Sequence, residues 1–142
     1  GLFAPSDGPP GLALYDAAGI HRAGLSVDPD GSSMMFLTDS TGEPRVALTV
    51  LPGGSPRLVL SDSAGQMLVG LGVVPTGQPA LMLHDAKGTT RASLMVLPDG
   101  STGVTLRDAA GHLRAGLEVA PDGSPALVMF DALGNVVRTL TP

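Results

Sequence analysis

The chain has 142 residues, 43% of them hydrophobic and only 3% aromatic, with 20 Gly, 13 Pro, no Cys and no Trp. These figures exclude a disordered chain, a disulfide framework, a thiolate metal site and an aromatic core, and the load of turn formers favours many short strands. A net charge of -5 with eight Lys and Arg gives no basic stripe for nucleic acid, and no apolar run is long enough for a membrane-spanning helix.

Along the chain one spacing recurs, 23 residues. It separates Gly8, Gly31, Gly54, Gly77, Gly100 and Gly123, then Asp16, Asp39, Asp62, Asp85, Asp108 and Asp131, then Gly19, Gly42, Gly65, Gly88, Gly111 and Gly134. Self-similarity at a fixed short period means a fold built by repetition. Residues 1–142 therefore read as one β-repeat domain, with a half unit at 1–7, full units starting at 8, 31, 54, 77 and 100, and a final unit at 123–142. Leu2 to Gly8 (LFAPSDG) matches Leu25 to Gly31 (LSVDPDG), and Pro142 falls at the position of Val27, so the expectation is a piece of a longer array, with a complete domain whose first half unit pairs with its last as the alternative.

Each unit opens on a short alternating run. It places Leu12, Met35, Leu58, Leu81, Val104 and Leu127 on one face, joined two residues later by Leu14, Leu37, Leu60, Leu83, Leu106 and Met129. Period-two alternation is the signature of a strand with one apolar face. The Asp-x-x-Gly turn follows: Asp accepts backbone N–H bonds of its own turn and Gly supplies positive φ. A second alternating run then carries Leu25, Leu48, Leu71, Leu94, Leu117 and Leu140, with Val27, Val50, Val73, Val96 and Val119 two residues on. Pro-Asp-Gly, or a variant such as Pro52-Gly53-Gly54, closes the unit. Pro presets φ at the second turn position and Gly takes the left-handed slot of a bulged hairpin. Both connections suit antiparallel neighbours, because a parallel pair needs a longer crossover. The expected fold is thus all-β, six tandem hairpin repeats in a meander of about twelve strands. A parallel solenoid of 23-residue coils is the rival arrangement.

The opposite face is also poorly solvated. It carries Ala13, Phe36, Val59, Met82, Thr105 and Val128 in the first runs, and Gly24, Ala47, Gly70, Ser93, Gly116 and Thr139 in the second, where small side chains suit close approach of another backbone. One layer of hairpins with a strongly apolar face needs a cover. The expectation is burial of the Leu25, Leu48, Leu71, Leu94, Leu117 and Leu140 stripe in a homo-oligomer, a trimeric β-prism first, or in a rolled sheet.

Chemistry-bearing residues follow the repeat rather than break it. The Asp column supplies one carboxylate per turn, which reads as turn capping and not as a Ca²⁺ set. Arg22, Arg45, Arg91 and Arg114 form a row broken by Leu68 and Val137, expected as a salt-bridged edge, with an anion-binding ladder as the sharper alternative. His21, His84 and His112 occupy different positions in their units, without the convergence a metal needs. No Gly-x-Ser-x-Gly elbow or phosphate-binding loop occurs. The expectation is no catalytic, cofactor or metal site; an enzyme would have to use repeat-breaking residues such as His84 and Arg107.

The segments Tyr15-Asp16-Ala17-Ala18-Gly19 and Phe130-Asp131-Ala132-Leu133-Gly134-Asn135, with the Pro-Asp-Gly connection, resemble the turns of YD repeats of the Rhs type. In the shells built from such repeats, antiparallel hairpins wind into a hollow case, so the resemblance implies hairpins here. The functional expectation is a non-enzymatic stalk, fibre or surface spacer at an extracellular, cell or virion surface, without nucleic-acid partners or direct membrane insertion. The alternative is a closed barrel or propeller-like binding domain, for a surface or glycan ligand, in which Leu2 would lie beside the final strand.

Overall fold

A computed structural model describes residues 2–3, as backbone, and residues 10–141. Gly8, the rest of the leading half unit and Pro142 lie outside the described residues. The strands are β1 (Leu2–Phe3), β2 (Gly11–Tyr15), β3 (His21–Val27), β4 (Ser33–Thr38), β5 (Pro44–Val50), β6 (Pro56–Ser61) and β7 (Met67–Val73). They continue as β8 (Pro79–His84), β9 (Thr90–Val96), β10 (Thr102–Arg107), β11 (Leu113–Val119), β12 (Pro125–Phe130) and β13 (Val136–Leu140). All belong to one antiparallel sheet whose spatial order is the chain order. No helix occurs among the described residues. The parallel solenoid is excluded, since each strand pairs antiparallel with its immediate neighbours in the chain.

The sheet is open. β1 pairs with β2 and β13 with β12, and the two margins do not meet. The closed barrel expected as the alternative is therefore not formed. Closing a barrel needs a cumulative stagger between strands. Here the ladder residues stay directly opposite one another from Leu12 to Leu140.

Both connections share one backbone form, although their sequences differ. In Asp39 to Glu43 the Asp39 N–H donates to the Glu43 carbonyl at 3.0 Å and the Gly42 N–H to the Asp39 carbonyl at 3.2 Å. In Leu51 to Ser55 the same two bonds measure 3.1 and 2.8 Å. Each is a three-residue loop, a type I turn closed by a left-handed residue. Gly54 takes that place with φ of 86°, a conformation that costs any residue with a Cβ. The sequence differences lie in how the turn is braced. In the first kind the leading carboxylate does it, Asp16 Oδ1 accepting from Ala18 N–H at 2.9 Å and Ile20 N–H at 3.0 Å. In the second, Asp30 Oδ1 accepts from Ser32 N–H at 2.9 Å and the Ser32 hydroxyl at 2.7 Å.

The Asp-turn side also holds a feature that the pattern reading did not anticipate. The register slips by one residue between Leu14 and Tyr15, Leu37 and Thr38, Leu60 and Ser61, Leu83 and His84, Leu106 and Arg107, and Met129 and Phe130. The extra residue of each bulge is Arg22, Arg45, Leu68, Arg91, Arg114 or Val137. A bulge re-aims its side chain and sharpens local twist.

The fold has almost no interior. Among the described residues the buried apolar side chains are Ala13 and Ala80, each 3% exposed. Both lie on the second face, where larger neighbours lean over small ones. At Gly24 it is the Phe36 ring from the adjacent strand, not another backbone, that occupies the space a Cβ would need.

Candidate functional site

The cross-strand register turns the leucine columns into one straight row. Leu12, Leu25, Met35, Leu48, Leu58 and Leu71 face one another in succession from β2 to β7. Leu81, Leu94, Val104, Leu117, Leu127 and Leu140 extend the row to β13. Directly opposed aliphatic pairs of this kind are the unit by which a sheet is stabilised. On the Asp-turn side the same face continues with Leu14, Leu37, Leu60, Leu83, Leu106 and Met129; on the Pro-turn side it continues with Val27, Val50, Val73, Val96 and Val119. The charged exception on this face is Arg138, paired with Met129 at the margin.

Among the described residues nothing covers this face. Leu25, Leu71, Leu94 and Leu117 are each 50–52% exposed, while their lateral neighbours shield the rest. Strand spacing near 4.8 Å makes the row about 53 Å long, and the outer rows stand about 13 Å apart, giving roughly 700 Å² before side-chain width. The largest apolar patch on an ordinary monomer is about 300–600 Å².

The Asp-turn margin is rigidly bonded. Arg45 Nε donates to Asp39 Oδ2 at 2.8 Å, and its Nη1 reaches the carbonyl of Asp62 in the next unit. Arg114 repeats the arrangement, with Nε to Asp108 Oδ2 at 2.8 Å and Nη1 to the Asp131 carbonyl. Arg91 bonds the Arg107 carbonyl at 3.0 Å and lies 3.4 Å from Asp85 Oδ2, and Arg22 lies 3.7 Å from Asp16. The bulge thus aims the arginines along the margin, and Arg45, Arg91 and Arg114 tie one turn to the next. Asp62 and Asp131 sit in the units where Leu68 and Val137 replace the arginine.

These bonds set the acidity of the carboxyls. At Asp39 the Thr41 hydroxyl leads; partial desolvation opposes it, and the Thr41 N–H, Arg45 and Glu43 N–H add to it, holding the group far below the ordinary range. At Asp108 desolvation pushes upward but is outweighed by bonds from His112 N–H, Arg114 and Ala110 N–H, which leave it at about 2.

Other candidate residues stay apart. His21 stacks on Tyr15 with ring centroids 5.0 Å apart and meets Phe36 edge-on at 5.0 Å. His84 Nδ1 lies 3.3 Å from the Thr90 hydroxyl, and Arg107 donates to the Gly111 carbonyl at 3.0 Å. His112 Nδ1 is 3.4 Å from Asp108 on an exposed turn. On the second face, Gly103 and Gly116 leave a shallow hollow between Met95 and Phe130. Among the described residues no cluster of three potential metal ligands occurs.

No family model matches the chain, and no curated protein matches it. Among solved structures it is similar to the TCP10 domain of Danio rerio CPAP in complex with a peptide of Danio rerio STIL. That match has 14% identity, covers 93% of this chain and 99% of the other, and has a TM-score of 0.21. It is also similar to the SAS-4 (dCPAP) TCP domain of Drosophila melanogaster in complex with a proline-rich motif of Ana2 (dSTIL). Here identity is 14%, coverage 98% and 95%, and the TM-score 0.24.

Proposed function

We propose that this chain is a non-enzymatic assembly module, in which copies bury their leucine ladders against one another to form a stiff stalk, fibre or surface spacer. The supporting observation is the uncovered, nearly uncharged row from Leu12 to Leu140. Its area is close to the ~800 Å² per partner of a standard stable interface. Burying a leucine is worth about 1.5–3 kcal/mol, so leaving the row in water forfeits much of the stabilisation available.

Three copies fit the dimensions. Strands of about six residues make a face about 20 Å wide. A three-sided prism with such faces places each sheet about 6 Å from its axis, close to the ~5 Å from a sheet to the mid-plane in face-to-face packing. The leucine row then lines the axis, and the smaller Val27, Val50, Val73, Val96 and Val119 fall where the prism narrows. An extracellular, cell-surface or virion setting accords with such a rod.

Light scattering at micromolar concentration tests this. The expected mass is a multiple of 14.2 kDa, three-fold in the prism. Leu71→Glu together with Leu94→Glu should shift the species to a monomer or abolish its folding. A stable, compact wild-type monomer would reject self-association.

A further inference from the structure

The charges divide unevenly between the two long margins of the sheet. At the Asp turns, Asp16, Asp39, Asp85 and Asp108 face Arg22, Arg45, Arg91 and Arg114. At the Pro turns stand Asp28, Asp30, Asp99 and Asp122, with Glu118 near the same end of β11; among the described residues Arg57 is the one cation on that side. The excess negative charge of the described chain is thus gathered along one margin.

That asymmetry bears on how two ladders can be laid together. In an antiparallel pairing, a half-turn about the strand direction sets acidic margin on acidic margin. The centre of β2 to β13 falls at the Val74 to Gln78 turn, so full overlap would bring Asp28 and Asp30 against Glu118 and Asp122 of the second copy, and the reverse at the other end. Like charges placed together select against a pairing. Sliding by a repeat in one direction sets Asp28 and Asp30 on Asp99, and in the other escapes the clash by uncovering two strands of ladder at each end. In a parallel pairing, rotation about the long axis of the sheet sets the acidic margin of one copy beside the Asp-turn margin of the next, where carboxylates and guanidiniums are paired and no excess negative charge stands. Asp28 and Asp30 then lie near the turns of Arg22 and Arg45, and Arg22 keeps 38% of its side chain exposed.

We infer that the copies associate parallel and in register about an axis running along the sheet, the acidic Pro-turn margin of each beside the Asp-turn margin of its neighbour. This rests on the self-association reading above. It fixes the direction of every copy, so the assembly has two unlike ends.

The absence of native cysteine makes the test direct. Thr76 lies on the central Pro turn and Ala86 on the next Asp turn; both are exposed. Thr76→Cys alone, Ala86→Cys alone and the double variant are treated with a short bis-maleimide, with mass and circular dichroism recorded for each. Within one chain the two positions are about 20 Å apart, across β8, beyond a short linker. The parallel arrangement predicts that the double variant becomes covalently joined up to its native oligomer size, while Thr76→Cys alone gives little product. Efficient joining of Thr76→Cys alone, in a species that remains oligomeric, overturns the orientation but not self-association. A folded monomer with no joining overturns both.

Discussion

At the scale of single residues, each described turn rests on one left-handed glycine, and all but the turns of Gly54 and Gly77 also on a braced carboxylate. Gly54 is the cleanest place to measure the first, because an added Cβ would meet nothing within 4 Å. Gly54→Ala should therefore cost about 1–2 kcal/mol through backbone strain alone, read as a lower denaturation midpoint with an unchanged slope. Gly54→Asn should cost less, since Asn tolerates the left-handed region. The carboxylates give a pH signature. Asp39 and Asp108 have folded pKa values below the ordinary ~3.9, so the native state favours their charged forms. Their contribution is complete above the unfolded value and is lost as pH falls from about 4 through 2. Denaturation midpoints taken from pH 7 to pH 2 should fall over that window, and less steeply in Asp108→Asn.

At the scale of elements, the strands and turns were legible because one pattern states them repeatedly. The alternating Leu12 and Leu14, Leu25 and Val27, and the glycines at fixed spacing specify strand, turn and face together. The bulge was also encoded, but in parity rather than composition. Across the Pro turn, Leu25 and Met35 stand ten residues apart, an even number matching the four that separate Asp28 from Ser32. Across the Asp turn, Leu12 and Leu25 stand thirteen apart, while Asp16 and Ile20 are four apart. Regular antiparallel pairing changes the separation by two per step, so an odd difference demands one unpaired residue. The arginine row is that residue, which explains why it runs along the margin, where Arg45, Arg91 and Arg114 tie turn to turn. The direction in which its guanidiniums point was not legible, because it depends on the bulge geometry. The role of the small residues on the second face was hidden for a related reason. Gly24 reads as an opening for a distant backbone, whereas the Phe36 ring beside it fills the space.

At the scale of the whole molecule, among the described residues every strand touches its chain neighbours and no distant strand. Stability in such an array is a sum of units and their interfaces. Excising residues 54–76 removes β6 and β7 and sets Leu48 of β5 against Leu81 of β8, with Pro52, Gly53 and Gly77 restoring the turn. The shortened chain should keep its all-β circular dichroism and show a denaturant slope smaller by about one sixth, in proportion to the surface it no longer exposes. Loss of folded structure would mean that the units are coupled beyond nearest neighbours.

The identity of chain order with spatial order has one more consequence. Because each hairpin docks only on the one made before it, reach is set by how many times the unit is copied, in steps of about 9.6 Å. A gene duplication or deletion in whole units changes the span of the molecule without asking any other residue to adapt. Such a chain is a ruler whose graduations can be added or erased one at a time.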